Sequence, residues 1–247
     1  MIVEQKAGRS VAMTLIILMV ASLLVSGCSA VRRVEIKTVT KTRFVKLGGA
    51  ESVQADIAMD AGELRIDGKA DELLKAKFKY NKSLGEPNIE YDVRGDTGDL
   101  VIRPPRNKSL IRIPGTRNRW DLSLTDKVPI ELSIDLGAGK TVLALSDLDL
   151  EELDLSGGVG DTTIDLNGDW DHDVDVSIDQ GLGDLKVLLP KDFGVRIIVD
   201  LGLGNLERDG LKRDGGRYIN DAYDNAKNIL DIEIDQGAGN IDLEVGD

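Results

Sequence analysis

The chain carries little to catalyse with: one cysteine, Cys28, one histidine, His172, and aspartates at a recurring spacing. His172 lies in Asp-Trp-Asp-His-Asp, a context that reads as a solvated turn, and a lone imidazole cannot build the usual zinc site. No serine occupies a nucleophile-elbow sequence. The expectation is therefore a non-enzymatic protein without a required cofactor. Asp135, Asp179, Asp200 and Asp235 each stand two residues before a glycine. Stacked in register they would form a column of like charge that calcium could bridge with help from turn carbonyls. The nonapeptide spacing of calcium β-rolls is missing, Ser156 interrupts the column, and turn capping accounts for the same aspartates. Calcium and capping both remain open at this point. A basic cluster, Arg103, Arg106, Lys108, Arg112, Arg117 and Arg119 beside Trp120, suits an anionic envelope polymer or phospholipid, a plain exposed linker, or packing against acidic parts of the same chain. The Gly-x-Gly pairs precede strands rather than helices, and the neighbouring aspartates repel phosphate, which argues against phosphate cradles.

Cys28 closes Leu-Leu-Val-Ser-Gly-Cys at residues 23–28, after Lys6, Arg9 and the apolar run Val11–Val25. Fifteen apolar residues in a helix span only ~22 Å against a ~30 Å hydrocarbon core, which favours cleavage over a permanent span. The small residues Ser26 and Gly27 resemble the processing site of bacterial lipoproteins, where the thiol accepts a diacylglyceryl group. The resemblance implies a signal peptide over 1–27, lipidation of Cys28 with further acyl groups such as palmitate, and an extracytoplasmic protein tethered by 28–42 to the cell membrane. Ser29 is not the aspartate that retains many lipoproteins in the inner membrane, so a host with an outer membrane would place the chain there. An ordinary signal peptide or signal anchor with an incidental cysteine is the alternative. With one cysteine no disulfide within the chain is possible.

Charge divides the remainder. Residues 28–120 hold 19 Lys+Arg and 13 Asp+Glu, a net of +6, whereas residues 121–247 hold 10 and 30, a net of −20. The acidic part is unsuited to nucleic acid. Basic residues near the anchor, Arg32, Arg33, Lys37, Lys41, Arg43 and Lys46, either meet anionic lipid head groups or solubilise the tether.

The elements that position these groups repeat. Ile-Asp-Leu-Gly-Ala-Gly from Ile134 returns with variations from Asp154, Ser177, Val199 and Ile234. The second glycine of each pair falls at Gly139, Gly160, Gly183, Gly204 and Gly239, at intervals of 21, 23, 21 and 35 residues, so the last interval carries an insertion. Apolar side chains alternate on both sides of each pair, which specifies two half-buried strands and a glycine corner. A unit this short buries its apolar face only by stacking on its neighbours. The expected fold is all-β: a single-stranded right-handed β-solenoid of ~21–23-residue coils, with an antiparallel β-sandwich as the alternative. A weaker form of the pattern over 43–120, through Gly62 and Gly98, is expected to form diverged coils, with a boundary before the regular coils of 121–247. An edge strand left open near Asp247 would allow strand addition or a homodimer.

The block SVQADIAMDAGELRIDGKADELLKAKFKYN followed by NIEYDV resembles the amino-terminal region of bacterial toast-rack domains, and the later Gly-x-Gly-Asp/Asn corners resemble their carboxy-terminal coils. Adhesin-like and LiaF-type envelope-stress proteins are similar in the same way. The resemblance covers residues 43–247 and implies a β-solenoid-like fold without a catalytic motif. LiaF-type proteins carry several membrane spans where this chain has the Cys28 motif, which sets a LiaF-like signalling role apart. The functional expectation is a lipid-anchored, non-catalytic interaction or scaffold module of the cell envelope that binds an envelope protein or polymer. An adhesin-like surface protein, or an accessory of envelope-stress sensing, is the alternative.

Overall fold

Where apolar and polar residues alternate, the chain is extended. The computed structural model describes residues 37–105 and 118–246. Within them lie β1 (Thr38–Val45), β2 (Ser52–Asp67), β3 (Leu74–Asn81), β4 (Asn88–Arg94), β5 (Thr97–Arg103), β6 (Asn118–Leu124), β7 (Ile130–Ala144), β8 (Leu150–Val159) and β9 (Thr162–Asp165). They continue as β10 (Val174–Leu182), β11 (Leu185–Leu189), β12 (Gly194–Leu203), β13 (Leu206–Asp209), β14 (Lys212–Asp214), β15 (Arg217–Ile219), β16 (Ile229–Ala238) and β17 (Ile241–Val245). Strand β1 takes in part of the stretch expected to be tether.

Each coil is a strand, a glycine corner and a second strand; β2 and β7 pass through their corners unbroken. Strands before the corners form one branch of the sheet, ordered β4–β5–β2–β7–β8–β10–β16–β12–β15–β14. Strands after the corners form the other, ordered β1–β3–β6–β2–β7–β9–β11–β17–β13. Successive coils pair parallel and in register, as a solenoid requires and a hairpin-built sandwich does not. Ile57, Leu64, Leu132, Leu143, Leu153, Ile164, Ile178, Val187, Ile234 and Leu243 join one continuous core from both branches.

Two expectations are corrected. Residues 43–120 are not simply diverged coils. β5 and β6 run parallel to the two halves of β2 and stand in for a coil outside it, while β1, β3 and β4 add antiparallel strands beyond. Nor is the coil nearest Asp247 an open edge. β16 pairs with both β10 and β12, and β17 with both β11 and β13, so this coil lies inside the stack. The 35-residue interval holds the β14–β15 hairpin, whose second strand covers Arg196 and Ile197 of β12. Buried Asn220 fastens this insertion: its side-chain oxygen accepts from the Val195 N–H at 3.0 Å, and its amide donates to the carbonyls of Pro190 and Phe193 at 3.1 and 2.7 Å.

The corners explain the glycine pairs. A Cβ on Gly139, Gly160, Gly183, Gly239 or Gly204 would lie 1.6 to 2.0 Å from the carbonyl oxygen of the corresponding glycine in the adjacent coil. These five also have φ between 135° and 146°, a region L side chains avoid. The first glycine of each pair is crowded as well, with a Cβ on Gly181 lying 2.5 Å from the Gly158 carbonyl oxygen.

Gly157, one residue before the pair, is different, because a Cβ there meets Gln180 at an ordinary 3.8 Å. Gly183→Ala should therefore destabilise the domain by about 3 kcal/mol, whereas Gly157→Ala should stabilise it by about 0.5 kcal/mol. Urea unfolding of both variants checks the contrast, and equal losses would contradict it.

Candidate functional site

The residue before the second glycine of each corner, flanked by glycines in every coil but the first, where Asp60 precedes Ala61, continues the phase of the buried residues before it, yet the corner turns it outward. Ala61, Ala138, Val159, Leu182, Ala238 and Leu203 are successive partners across six coils. They make an apolar ridge along the corner, with Val159, Leu182 and Leu203 exposed by 55%, 51% and 74%. The ridge ends at Leu203, in the one coil whose outer edge is incompletely covered: β15 pairs only at Arg196 and Ile197, and β13 pairs only with β17. Ile198, exposed by 41%, lies on the same open stretch. The sequence reading missed this surface because alternation alone assigns its residues to the interior.

The four candidate aspartates are brought into register, though in the order Asp135, Ser156, Asp179, Asp235, Asp200. All four are exposed. Among the described residues no group of three or more acidic, histidine or cysteine side chains is disposed to hold a metal ion. The Asp/Asn residues after the second glycines link coils to one another. Asp184 Oδ1 accepts from the Asn240 backbone N–H at 3.0 Å, and Asp161 Oδ1 accepts from the Asp184 N–H at 3.4 Å.

Of the basic cluster, Arg103 and Arg119 are described, and both are committed to ion pairs. Arg103 pairs with Asp56, and Arg119 pairs with Asp121 at 2.7 Å and Glu63 at 3.6 Å. Trp120 is corrected from a contact residue to a core residue: it is 1% exposed, meets Phe78 edge-to-face at 5.4 Å and donates its indole N–H to Asn118 at 2.9 Å. Arg106, Lys108, Arg112, Arg117 and Cys28 lie outside the described residues.

The outer face of the first branch is strongly acidic. Glu152 is flanked by Glu131 on β7 and Asp175 on β10, with Asp154 beside it. Its burial and then the charges of Asp154, Glu131 and Asp175 raise its carboxyl above the ordinary value. His172 can donate from both nitrogens when protonated, Nε2 to the Leu150 carbonyl oxygen at 3.0 Å and Nδ1 to Asp171 at 3.2 Å. Burial depresses its imidazole, but the Leu150 carbonyl, Asp171 and Asp149 outweigh that and raise it overall.

An acid held above its unfolded value binds its proton more tightly when folded, so stability falls as pH rises through that window. Glu152→Gln should raise the thermal midpoint at neutral pH, and the gain should vanish below the ordinary carboxylate range. For His172 the stabilisation is present in mild acid and lost as pH rises through its raised value, so His172→Gln should cost more at pH about 5.5 than at pH about 8.5. Melting curves across pH check both signs.

Residues 33–188 match the family model for the N-terminal domain of toast_rack, DUF2154. The crystal structure of a putative cell adhesion protein from Clostridium sporogenes is 32% identical, with a TM-score of 0.81, and the match covers 85% of this chain and 100% of that one. A putative adhesin from Bacteroides fragilis aligns over 84% of this chain and 97% of its own at 11% identity, with a TM-score of only 0.31. No curated protein is significantly similar. With its coils, its corners and this match over more than half its length, the chain belongs to the toast-rack family.

Proposed function

We propose that this protein is an extracytoplasmic, non-enzymatic interaction module of the bacterial cell envelope, held at the membrane by lipid on Cys28 and adhesin-like in engaging another protein. The observation that carries this reading is the junction of the apolar ridge with the open edge: Leu203, the most exposed large apolar side chain described, stands in the coil whose outer edge is covered only at Arg196 and Ile197. Unpaired strand edges recruit extended segments through main-chain hydrogen bonds, and apolar side chains beside them add affinity. The Clostridium sporogenes relative, described as a putative cell adhesion protein, supports a surface role. No helix among the described residues is long and apolar enough to cross a membrane; the proposed attachment is the lipid on Cys28.

The test is made in the native cell. The full chain should incorporate an alkyne palmitate analogue and sediment with membranes, and Cys28→Ala should abolish the label and the sedimentation. In-cell photo-crosslinking from β13 should yield a discrete adduct that falls at least tenfold with Leu182→Asp plus Leu203→Asp. An unlabelled wild-type chain contradicts the anchor; an adduct indifferent to the two aspartates contradicts the proposed contact surface.

A further inference from the structure

The outward face of the second branch has a composition opposite to that of the acidic coils. On β3, Lys75, Lys77 and Lys79 alternate with the core residues Leu74, Ala76, Phe78 and Tyr80, so all three ammonium groups lie on one outer face. Among the described residues none makes an ion pair or hydrogen bond: Asp121, across from Lys77 on β6, is held by Arg119 at 2.7 Å, whereas Lys41 and Arg43 on the other face of β1 both pair with Glu86. Antiparallel pairing places Thr40 beside Lys79, Thr42 beside Lys77 and Phe44 beside Lys75. Phe44 is 64% exposed, so a phenyl ring stands in water at the edge of a row of free cations.

From these observations we infer that the β1–β3 face docks on an anionic lipid surface, with the lysines at the phosphate level and Phe44 in the interface. Free lysines in a row fit a plane of negative head groups, and an exposed aromatic ring among them fits the amphipathic boundary better than it fits a fully hydrated polyanion. The arrangement along the stack points the same way. The lysine face belongs to the two outermost strands at one end, eight strand spacings from β13, or ~38 Å. The acidic coils lie towards the far end and are repelled by the same surface, so both charges favour one orientation. Reach follows from the proposed anchor, on which this part of the inference rests: Thr38 is ten residues after Cys28, so β1 begins within ~35 Å of the bilayer even when that segment is fully extended. Docked in this way, with the acidic coils tilted off the surface, the domain leaves Leu203 and the open β12–β13 edge at the end of the stack away from the contact.

Residues 36–247 form one compact unit with its own core, and a relative's whole crystallised chain matches 85% of this one, so the soluble domain without Cys28 is the appropriate probe. Its binding is measured by co-sedimentation with mixed phosphatidylglycerol–phosphatidylcholine vesicles and with phosphatidylcholine alone. The expected result is binding to the mixed vesicles only, weakened by salt. Each lysine-to-glutamine change at 75, 77 and 79 should reduce partitioning about fivefold, and Phe44→Ser should reduce it further. Lys227→Gln, on the acidic half, should leave it unchanged. Phe44, Lys75, Lys77 and Lys227 are exposed and Lys79 is half-buried, and an unaltered thermal midpoint confirms that each variant is folded.

Equal binding to both vesicle types, no binding, or binding indifferent to the three lysines overturns the inference. So does a soluble poly(glycerol phosphate) that competes fully while Phe44→Ser has no effect, since that marks a polyanion site. Because the probe lacks Cys28, failure here leaves palmitate labelling of the full chain to decide the anchor separately.

Discussion

At every corner of the stack the carbonyl oxygen of one coil occupies space that a Cβ on the next coil would need, and only glycine lets the two backbones approach that closely. This close packing holds successive coils in register, because a slip of one residue would bring a side chain against a carbonyl. In-register stacking in turn places the apolar positions of both branches in continuous columns, which is how units of two short strands acquire a shared core. The ridge follows from the same constraint. With glycine on both sides in every coil after β2, the intervening residue is the position at those corners free to carry a side chain, and it points to solvent.

Stacking leaves two ends to be closed, and the chain closes them out of order. The first full coil, β2, lies between β7 and the β5–β6 pair, and the β16–β17 coil lies between β10–β11 and β12–β13. Antiparallel strands then cover both branches at one end but only part of one branch at the other. The uncovered part, from Ile198 through Asp209, carries the exposed apolar side chains that a binding surface needs. Edge exposure is usually suppressed in soluble proteins; here it coincides with the end of the apolar ridge and faces away from the lysine row.

Much of the architecture was legible because it depends on local periodicity. The alternation through Leu132, Ile134, Leu143 and Leu145 marked strands, and the glycine spacing marked corners. Spatial order was not legible, since every coil offers the same alternation and the same glycines to any neighbour; only side chains such as Asn220, with contacts spread over distant segments, fix where the insertion docks. The outward residues of the ridge were not legible because Leu182 keeps the phase of Ile178 and Gln180 although the backbone has turned. Arg103 and Arg119 looked available in sequence, but strand pairing sets Asp56, Asp121 and Glu63 beside them. The lysine row of Lys75, Lys77 and Lys79 was not legible either, because only the pairing of β3 with β1 and β6 shows that the nearest carboxylate, Asp121, is taken by Arg119.

Native-state hydrogen exchange resolved by residue tests the central claim, that corner packing encloses the β16–β17 coil and leaves β12–β13 as the open edge. Amides of β16 and β17 should be protected to the same degree as those of β10 and β11, and outward amides of β13 and the second half of β12 should exchange first. Rapid exchange in β16 and β17, with β12 and β13 protected, would contradict the order of coils and the binding surface derived from it.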